Sequence, residues 1–361
     1  MSETGRNLDM TDLQSPERRT VLVGGAALAA ASLVGGNAMA QEAAGPDMSR
    51  GADNFYKSDR VNAEDVRYKN TYGLEVVGTL FTPKQLEAGK KYSALVVGHP
   101  YGAVRQQAAN LYATKMAEQG FVTLTFDQSF WGESAGSPRG AVLPDVYTEN
   151  FSAAVDFLGT RDFVSREKIG VIGVCASGGF SLAAAKVDPR IKAVATVSMY
   201  DMGEYYRTGI KNERTVETRN SDLQKAAANR YTEFETGQPV HGPGQNDPVF
   251  LEAKESRDFY ETVRGKVPSN NRRTTPATYA KFFNFQPFAN IDSISPRPIL
   301  FVVGEIAPSR GYTETAFKIA AEPKELVVIP GANRIDLYDR TEIIPWAKLN
   351  SFFNEHLNDA A

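Results

Sequence analysis

A single cysteine stands in the stretch of this chain whose residue types most clearly indicate chemistry. Cys175 lies in the run Gly-Val-Cys-Ala-Ser-Gly-Gly, after a strand-like apolar run at 168–172 and before a helix-like run at 180–186. The small residues on either side, Gly173 and Ser177, allow a strained turn that presents the apex side chain. The apex would lie at a helix N-terminus, where the dipole and free N–H groups favour a thiolate. The pattern therefore predicts a nucleophile at Cys175.

Other interpretations of this turn must be weighed against that one. A lone cysteine is often a small buried hydrophobe, and a glycine-rich turn can be an ordinary strand–helix connection. A phosphate-binding loop is disfavoured because the chain has neither G-x-G-x-x-G nor G-x-x-x-x-G-K-[ST] here. Ser177 also has small neighbours, but it would lie too far into the helix to be the apex. The succession of strand, sharp turn and helix resembles the nucleophile elbow of α/β hydrolases, with cysteine replacing the commoner serine.

The loop after the predicted strand 92–98 begins His-Pro-Tyr-Gly and is a candidate oxyanion hole. Because proline has no N–H group, Tyr101 or Gly102 would supply one donor, and Ala176, just after the apex, would supply the second. His99 is predicted to anchor this loop beside the substrate. Trp131, in the loop after the next strand, is predicted to wall the pocket.

The acid and the base of a catalytic triad should follow the nucleophile in that order. Glu305, at the end of the predicted strand 298–304, is the candidate acid, with a solvated loop glutamate as the alternative. The base should lie in the loop 331–339, which contains no histidine. The remaining histidines are His241, which could fold over the elbow from an insertion, and His356, expected at the surface of a terminal helix.

Strand-like and helix-like runs alternate along most of the chain, which predicts an α/β fold with a mostly parallel central sheet and helices on both faces. The alternation stops over 201–292, a polar segment with scattered aromatic residues. This segment is too long for a loop and is predicted to be an inserted helical cap. The core would then comprise 61–200 and 293–361, preceded by a linker at 41–60.

The first forty residues are predicted to be an export signal. Arg18 and Arg19 precede a short run rich in alanine, leucine and glycine, and the Ala-Met-Ala at 38–40 is a candidate cleavage site. A membrane anchor is the alternative, but the run is shorter than the roughly 20 residues of a spanning helix. Twin-arginine export of 1–40 predicts a periplasmic or secreted protein with no stable membrane span after cleavage.

The composition gives no support for nucleic-acid binding, an intrachain disulfide or a metal site. The 361 residues carry a net charge of −3, which gives no reason to expect nucleic acid as a partner. One cysteine allows no intrachain disulfide, and three scattered histidines without C-x-x-C give no metal-ligand cluster. We therefore expect a small-molecule substrate, no metal and no cofactor.

Several separate blocks of the chain resemble one family. Over roughly 65–357 it is similar to bacterial α/β hydrolases of the dienelactone hydrolase and polyketide-transferase-like group. This resemblance implies that fold, acyl transfer or hydrolysis of an ester or lactone, and no cofactor. Family members usually carry histidine where Arg334 stands, and often a second histidine where Pro308 stands. The blocks are Gly98–Gly102, Phe126–Ser134, Gly173–Gly179, Ser295–Pro298, Gly304–Glu305, Glu322–Leu326 and Ile335–Asp339.

Two functions follow as predictions. The first is an exported α/β hydrolase in which Cys175 attacks a small ester, lactone or thioester, and Arg334 stabilises the thiolate or a substrate carboxylate. Arg334 cannot replace the histidine as a base because its guanidinium stays protonated. The second is a non-catalytic binding protein of the same fold that lacks the triad histidine.

Overall fold

The strands form one eight-stranded sheet. In this computed structural model, residues 45–242, 253–270 and 273–358 are described. The predicted signal (1–40) and the first residues of the predicted linker therefore lie outside the described residues. The strand order is β1-β2-β4-β3-β5-β6-β7-β8. The strands are β1 Val61–Lys69, β2 Glu75–Pro83, β3 Tyr92–Gly98, β4 Val122–Phe126, β5 Val164–Val174, β6 Ile191–Val197, β7 Ile299–Gly304 and β8 Lys324–Ile329.

The sheet is mostly parallel, as predicted. β2 pairs antiparallel with β1 and with β4, whereas every pairing from β4 through β8 is parallel. β4 and β7 are buried along their whole length, which explains their continuous apolar sequences, because parallel strands are covered on both faces. The carboxyl ends of these strands therefore meet at one edge of the sheet, where the loops of interest begin.

Helices cover both faces of the sheet. A side chain at Gly170 in β5 would meet Phe353, whereas one at Gly173 would meet Ser177 and Ser181. Positions three apart on a strand face opposite sides, so the helices that carry these residues lie on opposite faces. The core helices are α1 Ala108–Ala117, α2 Pro144–Gly159, α3 Ala176–Val187, α8 Arg310–Ile319, α9 Asp336–Asp339 and α10 Trp346–Phe353, which continues as a π-helix Asn354–Asn358.

The segment between β6 and β7 consists of helices and turns where it is described. Its helices are α4 Met202–Thr208, α5 Val216–Thr236, α6 Ala253–Tyr260 and α7 Pro276–Tyr279, followed by the 3-10 helices Ala280–Asn284 and Ile291–Ile294. Two aromatic side chains of this segment, Tyr206 and Phe282, are buried and stack on each other with ring centroids 5.1 Å apart. These aromatics therefore serve to pack the insertion. From Gly45 onward the chain is one compact unit.

β1 is a strand that the sequence patterns did not identify. Most of its residues are exposed and several are charged, because it lies at the edge of the sheet and pairs only with β2. Charged side chains are common on edge strands, where they discourage pairing with other chains. An edge strand of this kind lacks the apolar run from which the other strands were predicted.

No helix in the described part of the chain combines the length and the apolar character that crossing a membrane requires.

Candidate active site

The turn after β5 holds Cys175 in a strained backbone conformation. Its φ is 58° and its ψ is −124°, a combination that a non-glycine residue adopts only where the surrounding structure enforces it. The Cys175 N–H donates to Val197 at 2.8 Å, and its carbonyl accepts from Gly178 at 2.9 Å and Tyr200 at 3.2 Å. The turn is thus fixed on both sides of the cysteine.

The small neighbours that the sequence argument requires are explained by close backbone contacts. A Cβ atom on Gly173 would lie 2.3 Å from the carbonyl oxygen of Ser177, so no larger residue fits there. Ser177 itself is fully buried and its hydroxyl donates to the carbonyl of His99 at 2.5 Å. Its oxygen therefore holds the neighbouring loop and is not presented for attack.

Two segments carry the predicted oxyanion donors. Ala176 is the first residue of α3, and no acceptor for its N–H is found in the described residues, as expected for the first turn of a helix. The loop with Tyr101 and Gly102 is bound to the insertion, because the side-chain amide of Asn270 donates to the Gly102 carbonyl at 2.8 Å. Gln107 reinforces this contact by donating to the Gly265 carbonyl at 2.6 Å.

His99, at the start of this loop, and Trp131 are both buried. Their polar atoms form hydrogen bonds with other groups of the protein. The His99 Nδ1 atom is 2.8 Å from the Pro100 carbonyl, and its Nε2 atom accepts from the Gln128 N–H at 3.2 Å. Burial lowers the pKa of His99, so the ring is a neutral structural group. The indole N–H of Trp131 donates to the Ala141 carbonyl at 3.2 Å.

The space next to His99 and Trp131 is small. The cavity that both residues line has a volume of about 10 Å³, enough for one water molecule at most. The hydrogen bonds of His99 join the residue after it to the start of the Trp131 loop, and a substrate contact of His99 or Trp131 stays a prediction.

Tyr338 and Arg334 belong to the surroundings of the thiol. Arg334 Nη1 donates to the Tyr338 oxygen at 3.4 Å, and both side chains interact electrostatically with Cys175. Burial raises the pKa of Tyr338, and the adjacent thiol raises it further against the opposing charge of Arg334. Tyr338 is thus a neutral phenol that can donate a hydrogen bond to sulfur.

The charge of Arg334 is held among aromatic rings. Its guanidinium carbon lies 5.4 Å from the centroid of Tyr200 and 5.9 Å from that of Tyr338. Burial disfavours this charge, but the phenols of Tyr338 and Tyr200 and the thiol of Cys175 outweigh burial and raise the pKa of Arg334. A permanent positive charge is therefore held beside the rings of Tyr200 and Tyr338.

Comparison with known proteins gives the family. Residues 44–217 match a family model described as PET hydrolase-like. The uncharacterized protein PA2218 of Pseudomonas aeruginosa is 44% identical over 309 residues, covering 84% of this chain and 83% of that protein. Its crystal structure superposes with a TM-score of 0.80 at 42% identity, covering 86% of this chain and 99% of that one. The chain belongs to the α/β-hydrolase family.

More distant relatives of this α/β hydrolase carry functional names. A protein named thiohydrolase aneE, from Aspergillus aculeatus, is 25% identical over 285 residues, which cover 76% of this chain and 84% of that protein. The α/β hydrolase GrgF from Penicillium shares the fold, with a TM-score of 0.66 at 22% identity and coverage of 82% and 99%. The predicted fold and the predicted family resemblance are thus confirmed.

The predicted acid, Glu305, does not point toward a base in this α/β hydrolase. Glu305 is exposed, and its carboxylate accepts a hydrogen bond from the Gly331 N–H at 2.8 Å. Gly331 begins the loop that carries Arg334, so the structure gives Glu305 a positioning contact with that loop. Its place at the end of β7 agrees with the sequence argument, but its carboxylate binds backbone.

The other two histidines bind groups away from the elbow. His241 is exposed, and its Nε2 atom lies 3.1 Å from the Arg139 carbonyl. His356 is partly buried and packs against Phe352 with ring centroids 4.9 Å apart. Neither histidine is placed by these contacts as the base for Cys175.

The insertion of this α/β hydrolase is joined to the Arg334 loop by a buried ion pair. Arg264 donates to both carboxylate oxygens of Asp339, at 2.8 and 2.7 Å, and the two side chains are 2% and 0% exposed. The sequence does not indicate this ion pair, because its two residues are 75 positions apart in the chain. It fixes Tyr338, the residue before Asp339, against the insertion.

The described residues contain no group of three histidine, cysteine, aspartate or glutamate side chains close enough to hold a metal ion.

Proposed function

We propose that this α/β hydrolase transfers acyl groups through a thioester on Cys175, taking them from a small ester, lactone or thioester. The observation that carries the proposal is the strained apex at φ 58°, which backbone hydrogen bonds to Val197, Gly178 and Tyr200 hold in place. Tyr338 and Arg334 contribute to the electrostatic surroundings of its thiol. A strained residue that the surroundings hold in place points to function more strongly than a buried cysteine alone does.

In the first step the Cys175 sulfur attacks the carbonyl carbon, and the carbonyl electron pair moves onto oxygen. The N–H of Ala176 and a donor from the Tyr101 loop stabilise that oxygen. A single donor of this kind contributes about 10²- to 10³-fold. When the tetrahedral intermediate collapses, the bond to the leaving oxygen or sulfur breaks and the acyl group remains on Cys175. The Tyr338 hydroxyl takes the thiol proton and passes its own proton to the leaving atom. An ester then releases an alcohol and a thioester a thiol, whereas an opened lactone keeps its new hydroxyl on the acyl chain.

In the second step water or an alcohol attacks the thioester and Cys175 recovers its proton. No histidine activates this attacking group, and general-base catalysis is typically worth about 10²- to 10⁴-fold. We therefore expect rapid acylation followed by slow release of the acyl group. The name thiohydrolase of one relative supports a thioester among the substrates of this chain.

A stopped-flow assay with para-nitrophenyl butyrate tests this scheme. The wild type should release a burst of nitrophenolate equal to the enzyme concentration and then turn over slowly. Cys175→Ala should lose the burst, and Cys175→Ser serves as the control of similar size. Arg334→His should raise the steady-state rate by supplying the missing base. Equal nitrophenolate traces from wild type and Cys175→Ala would contradict the scheme and leave the non-catalytic binding protein, which the absence of histidine in 331–339 favours.

We also propose that the chain is exported by the twin-arginine route, supported by Arg18 and Arg19 ahead of the apolar run. Replacing both by lysine should leave the precursor in the cytoplasm, as measured by immunoblots of cell fractions. Delivery of this double variant to the periplasm as efficiently as wild type would contradict the proposal.

A further inference from the structure

The backbone of Arg334 is held firmly in the loop after β8. Its N–H donates to the side chain of Asn333 at 2.8 Å, and its carbonyl accepts from the Ser198 hydroxyl at 3.1 Å. Glu305 binds the start of the same loop through the Gly331 N–H. The guanidinium therefore projects from a fixed point of the loop.

The guanidinium of Arg334 has more donors than partners. An arginine offers five N–H donors, and among the described residues this side chain makes one hydrogen bond, the 3.4 Å contact with Tyr338. The side chain is partly buried, and its Nε atom is buried without a hydrogen-bond partner among those residues. Over the same residues, 45–242, 253–270 and 273–358, no carboxylate forms an ion pair with Arg334 within 4.0 Å. A guanidinium donor that is shielded from water and has no partner is costly.

Three arginines that are more deeply buried than Arg334 are all paired. Arg105, Arg264 and Arg340 are 2–6% exposed, and each is paired with carboxylates of the protein. Arg105, for example, lies 2.6 Å from Asp127. Arg334 differs from them because its partly buried guanidinium has no carboxylate partner among the described residues.

We infer that Arg334 binds a carboxylate of the substrate, an inference that rests on the proposed acyl transfer at Cys175. A planar guanidinium with parallel free donors matches a carboxylate in a two-pronged arrangement, and flanking rings such as Tyr200 and Tyr338 hold its plane. Because Arg334 lies against the ring of Tyr200, whose N–H donates to the Cys175 carbonyl, the bound carboxylate and the reacting carbonyl belong to one small molecule. The substrate class is therefore a half-ester, half-thioester or lactone that retains one free carboxylate.

One acidic residue of the insertion modulates this site. Glu255 in α6 is partly buried and forms no ion pair within the described ranges. Burial raises the pKa of Glu255, Asp336 raises it further, and Arg334, Arg264 and Arg340 oppose the rise. Its negative charge repels an incoming carboxylate, so neutralising Glu255 should strengthen anion binding.

Calorimetric binding of monomethyl glutarate, with dimethyl glutarate as the uncharged control, tests the inference without turnover. In Cys175→Ala, the monoanion should bind at least about 10-fold more tightly than the diester, because a hydrogen bond to a charged group contributes about 1.5–3 kcal/mol. Arg334→Gln should abolish that preference, Arg334→Lys should keep part of it, and Glu255→Gln should increase it. Thermal unfolding of each variant identifies any that fail to fold.

The outcomes separate this inference from the proposed function. Equal affinity for the monoanion and the diester, or an unchanged preference in folded Arg334→Gln, overturns the carboxylate site. A burst that depends on Cys175 but shows no preference for para-nitrophenyl hemiglutarate over the butyrate overturns the carboxylate site and leaves acyl transfer intact. Anion binding that depends on Arg334, without any burst, retains the site and overturns acyl transfer.

Discussion

A buried aspartate at the start of α4 should make the protein less stable as the pH rises. Asp201 is 6% exposed and accepts the Glu204 N–H at 2.8 Å as the N-cap of that helix. Burial raises its pKa from 3.8 to about 6, against the bond from Glu204 and the charge of Arg207. A carboxyl whose folded pKa is raised contributes stability that is present below pH 3.8 and is lost as the pH passes about 6.

The substitution Asp201→Asn isolates this effect because asparagine keeps the capping oxygen and removes the charge. At ~1.36 kcal/mol for each pH unit between 3.8 and about 6, the variant should gain about 3 kcal/mol over wild type at pH 8. Near pH 3.5 the two proteins should be equally stable. Urea unfolding followed by fluorescence at several pH values measures the difference in free energy of unfolding.

A second aspartate provides a control of opposite sign. Although burial opposes its charge, hydrogen bonds from Arg190 lower the pKa of Asp188, so its contribution to stability is present above its unfolded pKa and is lost on acidification. Asp188→Asn should therefore be less stable than wild type at pH 8, with a difference that shrinks as the pH falls. An Asp201→Asn stability difference that is independent of pH, or a variant weaker than wild type at pH 8, would refute the argument.

Three further predictions concern the elbow, the ion pair and the phenol. Gly173→Ala should cost about 2 kcal/mol or more in urea unfolding because its Cβ overlaps the Ser177 carbonyl, whereas Gly311→Ala, which meets open space in α8, should gain up to about 1. A Gly173→Ala variant that is as stable as the Gly311→Ala control would count against the tight elbow. Asp339→Asn should cost about 2 kcal/mol, because the buried Arg264 then keeps Asp258 as its carboxylate partner and loses its charged hydrogen bonds to Asp339. A double-mutant cycle with Arg264→Leu should give a coupling of at least about 1 kcal/mol; additive effects would contradict this. Tyr338→Phe should slow the acylation burst about 100-fold with little change in thermal stability, whereas an unchanged burst rate would remove Tyr338 from proton transfer.

The elbow could be predicted from the sequence because its constraints are local. Gly173 and Ser177 are close to Cys175 in the chain, and the requirement for small residues follows from backbone geometry. The parallel strands were predictable for a similar reason, since burial on both faces demands continuous apolar runs. β1 was missed because an edge strand need not obey that rule.

The surroundings of the sulfur could not be predicted, because they depend on how distant segments pack. Nothing within the loop sequence indicates that Arg334 would donate to Tyr338 or that Arg264 would bind Asp339 from the insertion. Position alone made Glu305 the candidate acid, but the direction of its side chain is set by the free N–H of Gly331. The end of a strand therefore predicts the backbone position of a candidate acid, whereas packing determines the direction of its carboxylate.

Mass spectrometry of the rapidly quenched protein tests the central claim most directly. After milliseconds with para-nitrophenyl butyrate, the peptide that contains Cys175 should carry one butyryl group, and the label should be absent from Cys175→Ala. Hydroxylamine should remove the label, as it does from thioesters. Butyryl on another residue, or an unmodified Cys175 peptide while nitrophenolate is released, would contradict the account.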